Sequence, residues 1–144
     1  MSGAENPVAV LDISTTDADL ARLYPWLDDA AKADALPPKL LQQMHVALDE
    51  AVSNIVLHAF SAGAEERLRV EYVPGGADVA LVVSDAGKPF NPIEAPALPR
   101  GENLETLSAG GKGLILLRHF CKDISYRWAQ GRNHLTLRFP RAVA

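Results

Sequence analysis

The chain has 144 residues, 48 % of them apolar and 22 % charged, with a net charge of −4. That length fits one domain spanning residues 1–144, with a core over about residues 8–139, and buries about two-thirds of the unfolded surface. The acidic balance without any Lys/Arg cluster argues against a nucleic-acid partner, and no apolar run approaches the roughly 20 residues a bilayer span needs. The single Cys121 has no internal disulfide partner, and no N-terminal stretch has the basic start and apolar centre of a signal peptide. The expectation is a soluble cytoplasmic protein with no membrane contact.

Taken in order, Val8–Ile13 alternates weakly and predicts a strand. Ser14, Thr15, Thr16 and Asp17 offer helix N-caps. Apolar residues at Leu20, Leu23, Trp26, Leu27, Ala30 and Ala31 predict a helix over about residues 18–35, which Pro25 should kink or split. Pro37-Pro38 stands where a helix start tolerates proline. A second helix follows over about 38–60, with Ser61-Ala-Gly63 ending it. Along it Glu50, Asn54 and His58 are spaced i, i+4, i+8, so they rise one above another at the edge of the apolar stripe.

Leu68–Val73 alternates as a strand, Pro74-Gly75-Gly76 turns, and Asp78–Ser84 is a second, nearly all-apolar strand, which suggests a central position in the sheet. From Asp85 to Gly113 the composition changes to turn chemistry, with prolines and glycines throughout. A connection of that length is characteristic of a lid or binding loop. A helix over 114–120 begins directly after Gly110-Gly111-Lys112-Gly113. Strands over 123–129 and 135–139 close the chain, with a turn over 130–133. Runs of adjacent strands predict an α+β fold, a two-layer sandwich whose mixed, mostly antiparallel sheet carries its helices on one face.

Three places carry candidate chemistry. Glu50, Asn54 and His58 bring a carboxyl, an amide and an imidazole to one helix edge, or else satisfy one another on a half-buried helix. Asp85-x-Gly87 follows a buried-looking strand, where it presents a carboxyl at the mouth of the sheet or closes an Asx-turn. Gly110–Gly113 at a helix N-terminus makes an anion site, with Lys112 adding charge, or a hinge. It is not a Walker loop, because Gly113 stands where Ser or Thr is required.

In series, Glu50-x-x-x-Asn54, Asp85-x-Gly87-x-Pro89-Phe90 and Gly111-x-Gly113-Leu114 resemble the N, G1 and G2 boxes of the Bergerat-fold (GHKL) ATPases, which include gyrase and the histidine kinases. Asp49–Phe60 and Gly131–Leu137 are most similar to the anti-sigma-factor serine/threonine kinases, small switch proteins of bacterial transcription regulation. The resemblance covers about residues 8–139.

It implies ATP and Mg²⁺ as cofactors. Asn54 is then the Mg²⁺ ligand, and Glu50 the general base toward the attacking hydroxyl. Asp85 accepts from the adenine amino group, Gly87 leaves room for the ring, and Phe90 lines the pocket with its box neighbours Lys88 and Pro89. Residues 91–109 form the lid, which runs on to about residue 113. Gly110, Gly111, Gly113 and the N–H groups from Leu114 onward hold phosphate oxygens, helped by Lys112. His58 faces the nucleotide. Many relatives have a threonine near adenine in the last strand. Here Asn133 stands at that point, with Thr136 the weaker substitute.

The resemblance implies a kinase that holds a sigma factor or comparable target, phosphorylates a STAS-type antagonist, and forms a homodimer. The alternative is a catalytically silent module that switches partners by ATP/ADP occupancy. A histidine-kinase fragment would call for a preceding helix with an acceptor histidine, and this sequence shows none.

Overall fold

The computed structural model describes residues 6–58, 66–94 and 117–142, and for Leu57, His58 and Glu94 the backbone alone. The strands are β1 (Ala9–Ser14), β2 (Arg67–Pro74), β3 (Asp78–Asp85), β4 (Asp123–Ala129) and β5 (Arg132–Pro140). The helices are α1 (Asp17–Leu20), α2 (Leu23–Ala33) and α3 (Pro38–His58), and Pro92–Glu94 forms a 3₁₀ turn. Residues 117–120 are helical, the described part of the helix expected over 114–120. The glycine-rich segment Gly110–Gly113, Leu114 and the lid beyond Glu94 lie outside the described residues, as do Phe60 and Ser61–Gly63.

The sheet order is β1-β2-β3-β5-β4, and every pairing is antiparallel. The fold is the expected α+β architecture. β3 sits at the centre, which explains why it lacks clean polar alternation. The register aligns Leu68 with Asp85, Asp85 with Asn133 and Asn133 with Trp128, so these four share one face of the sheet. That face carries Leu11, Ile13, Leu68, Val70, Tyr72, Val79, Leu81, Val83, Leu135, Leu137 and Phe139 into the core. Leu40, Met44, Ala47, Leu48, Ala51, Val52 and Ile55 of α3 meet them, joined by Leu23, Leu27 and Ala30 of α2. Nearly all of these are aliphatic residues at helical or alternating spacing, so the two layers interdigitate at core density.

Local chemistry sets the element ends. Thr16 caps α1, its Oγ1 accepting from the Asp19 N–H at 3.2 Å. Asp19 reaches back to accept from Ser14 N–H and Oγ at 2.8 and 2.9 Å, a variant of the capping box. The helix expected over 18–35 is split, as Pro25 suggested, but at Ala21–Arg22, ahead of the proline; Pro25 itself falls in the first turn of α2, where an N–H lacks an intrahelical partner anyway. α2 ends in a Schellman motif. Leu36 N–H donates to Ala31 C=O (3.0 Å) and Ala35 N–H to Lys32 C=O (3.1 Å), with Ala35 left-handed at φ 55°. The α2 end is tied to the sheet through Asp34, which accepts from the Tyr72 hydroxyl at 2.8 Å and pairs with Arg141 at 2.9 Å.

The β4–β5 connection is shorter than the expected turn over 130–133. Gln130 (φ 57°) and Gly131 (φ 71°) alone make it, both left-handed as a type I′ hairpin requires. Asn133 therefore lies within β5 rather than in the turn.

Candidate functional site

α3 lays its apolar stripe on the sheet, and Glu50 and Asn54 lie along one margin of that stripe. Asn54 is 5 % exposed, a buried amide on a helix otherwise buried through aliphatic residues. Glu50, one turn before it, is half-buried. Burial pushes the Glu50 carboxyl above its ordinary value, and the neighbouring Asp49 adds to the rise. His58 is the last residue of α3, and its side chain is not among those described.

Asp85 ends β3 on the helix-facing side of the sheet and is fully buried. Its Oδ1 accepts from the Gly87 N–H at 2.8 Å and from Asn133 Nδ2 at 2.9 Å. The first of these is the Asx-turn that the sequence allowed. Its Oδ2, equally buried, has no hydrogen-bond partner among the described residues. A buried acceptor left unmade costs about 1–3 kcal/mol, so such an atom marks a place that a further donor would satisfy. Turn and site are thus one structure: Oδ1 closes the turn and Oδ2 is left over.

Asn133, 4 % exposed, anchors the loop that follows. Its Nδ2 also donates to the Lys88 carbonyl at 2.9 Å, and its Oδ1 accepts from the Phe90 N–H at 3.0 Å and from the Tyr126 hydroxyl. The Phe90 N–H can only donate and the Lys88 carbonyl can only accept, so a single amide orientation fits. Both donors and both acceptor lone pairs of Asn133 are then used within the protein. Thr136 lies three residues on and so faces the other side of the sheet. Lys88 and Pro89 are exposed, and Phe90 is half-buried against the core. Asn91 Oδ1 caps the 3₁₀ turn through the Ile93 N–H at 3.0 Å.

The sequence reading missed Tyr126. Alternation of β4 with Ile124 and Trp128 places it on the inner face, but a four-residue turn hides its proximity to Asn133. With a two-residue turn Asn133 is the diagonal neighbour of Tyr126, two residues from its direct partner Leu135 and close enough for the tyrosine to reach.

A groove of about 490 Å³ opens along the other margin of α3, lined by Tyr24, His45, Asp49, Val52, Ser53 and Val56 with residues of α1. Tyr24 stacks on His45 and donates to Asp49 there at 3.2 Å. It shares no residue with the Asp85 network. Among the described residues no group of three His, Cys, Asp or Glu side chains is placed to hold a metal ion. No helix among them is long and apolar enough to cross a membrane.

Comparison with known proteins identifies relatives over most of the chain. The family model described as a histidine kinase-like ATPase domain matches residues 13–139. The chain is 33 % identical over 127 residues to the serine/threonine-protein kinase BtrW of Bordetella bronchiseptica, covering 88 % of this chain and 89 % of that protein. It is 28 % identical over 95 residues to the serine-protein kinase RsbW of Listeria monocytogenes, covering 63 % of this chain and 60 % of that protein. The RsbW of Listeria innocua gives the same figures, 28 % over 95 residues.

Proposed function

Because the chain belongs to the histidine kinase-like ATPase domain family and is homologous to the kinases BtrW and RsbW, we propose that it is a cytoplasmic Mg·ATP-dependent serine/threonine protein kinase of a partner-switching system. It holds a sigma factor or comparable target, phosphorylates a STAS-type antagonist of its own anti-sigma action, and works as a homodimer. The observation that carries the reading is the buried, unpartnered Asp85 Oδ2. An exocyclic amino group of a purine is a donor of the size and kind that this atom lacks.

The described residues around Asp85 fit an adenine base. Asp85 Oδ2 accepts from the 6-amino group, while Gly87 leaves the base room beside the turn. Phe90 offers an apolar wall. The amide oxygen of Asn54 is the hard donor that a magnesium ion takes. Bound Mg²⁺ would neutralise charge on the phosphates as the γ-phosphoryl group leaves. His58, Lys88, Pro89 and the Gly110–Leu114 segment with Lys112 complete the nucleotide site on this reading.

Glu50 then takes the proton from the acceptor serine. The serine oxygen forms a bond to the γ-phosphorus as the bond to the β–γ bridging oxygen breaks, and ADP leaves with that oxygen. A carboxyl raised above its ordinary value by burial is better matched to that proton transfer near neutral pH than a solvated one. Its place one turn from Asn54 puts base and metal ligand on the same side of the helix.

The test is incubation of the protein with γ-labelled ATP, Mg²⁺ and STAS-type proteins encoded beside it. Label transferred to a serine of one of them, and lost with Glu50→Gln, supports the kinase. Retained ATP binding with no transfer to any neighbour replaces it with the silent nucleotide-gated module.

A further inference from the structure

The geometry points to Asn133 and Tyr126 as positioning residues that give the pocket its selection for an amino-bearing purine, acting through Asp85 rather than on the ligand. The inference deepens the nucleotide reading and rests on it. The base preference is set from β5, which pairs with the strand bearing Asp85, and from β4 beyond it.

A carboxyl group at a strand end rotates about its last torsion and offers either oxygen, or both, to whatever approaches. Here that freedom is removed. Asp85 Oδ1 is held by two donors, the Gly87 N–H at 2.8 Å and Asn133 Nδ2 at 2.9 Å. Oδ2 is left buried and without a partner among the described residues. A single fixed acceptor suits a base edge that presents a donor, such as the 6-amino group of adenine. It repels one that presents an acceptor, such as the 6-oxo group of guanine. Fixing it in advance also removes the ordering cost from the binding step.

Asn133 has no polar capacity left for a ligand, so its effect on binding must pass through the groups it holds. It grips three: the Asp85 carboxyl, the Lys88 carbonyl and the Phe90 N–H. One amide thus fixes both the acceptor and the loop from Asp85 to Phe90 that forms the pocket wall. Its own orientation is set from behind by the Tyr126 hydroxyl on the edge strand β4. Tyr126 is half-buried and on the same sheet face, outside the segment that a nucleotide touches on this reading.

The experiment compares affinities of the full chain for ATP and for purine riboside triphosphate, which differs only in lacking the 6-amino donor, with Mg²⁺ present throughout. Wild type should prefer ATP. Asn133→Ala should lower that preference about tenfold, the size of a lost hydrogen bond to a carboxyl group. Tyr126→Phe, which keeps the ring and its packing, should lower it in the same direction by less. Affinity for inorganic tripolyphosphate should stay unchanged in both.

A merely structural role predicts otherwise: lower melting temperature with the ATP preference intact. That outcome in Tyr126→Phe, or in a folded Asn133→Ala, overturns the positioning role alone. A wild type that does not distinguish the two nucleotides overturns the assignment of Asp85 to the base, and this proposal with it.

Discussion

Glu50 and Asn54 stand one helical turn apart on α3, the carboxyl half-buried and the amide 5 % exposed. The burial of Glu50 has opposite consequences for stability and for its proposed role as base. Burial raises the Glu50 carboxyl, so the folded state binds its proton more tightly than the unfolded state does. Stability is then lost as pH rises from the ordinary value of 4.5 through the raised one, and the loss persists above it. Glu50→Gln removes that penalty. The variant should be more stable than wild type at pH 7 and no more stable well below pH 4.5. Urea denaturation at both pH values measures it. In the same variant phosphoryl transfer should fall roughly 10²–10⁴-fold with ATP affinity kept.

Asn54→Ala should separate metal from base. ATP affinity measured with Mg²⁺ should drop, while affinity in EDTA stays near that of wild type. Equal losses in the two conditions would remove Asn54 from the ion.

Cys121 is buried and its thiol is pushed up to about 12, first by burial and then by Asp123. It should resist iodoacetamide at pH 8 in the native protein and react at the rate of a free thiol in denaturant. Mass spectrometry of a short labelling pulse reads the difference. Rapid native labelling would show that the segment around Cys121 opens locally.

Ala35 holds a left-handed conformation that costs a residue with a Cβ about 1–2 kcal/mol. Glycine avoids that cost but loses more chain entropy on folding, roughly 0.5–1 kcal/mol. Ala35→Gly should therefore stabilise the protein by about 0.5–1 kcal/mol, seen as a higher denaturation midpoint with an unchanged slope. No gain would mean that the α2 end relaxes when the Schellman motif is disturbed.

The periodic elements were legible because their burial is periodic. The stripe of α3 and the alternation of β2 and β5 follow directly from which residues are apolar. Asp85 stood out in the sequence because it closes the nearly all-apolar run of β3. The split between α1 and α2 was half legible: Pro25 signalled a break, but the break falls before it, since a proline is harmless in a first helical turn. The Asn133 network was not legible. It depends on Gln130 entering a left-handed conformation, and a glutamine carries no sign of that, so the turn was read two residues too long. Tyr126 fell with it, because its contact exists only in the register that the shorter turn sets.

The most direct test of the account is calorimetric titration of wild type and Asp85→Asn with ATP in the presence of Mg²⁺. Asparagine keeps the shape and the Oδ1 contacts of Asp85 but presents a donor where Oδ2 now presents an acceptor. The account predicts that wild type binds, that Asp85→Asn binds at least tenfold more weakly, and that the variant without nucleotide is no less stable than wild type, since it loses no internal hydrogen bond. Equal affinities, or no heat with wild type at millimolar ATP, would contradict it.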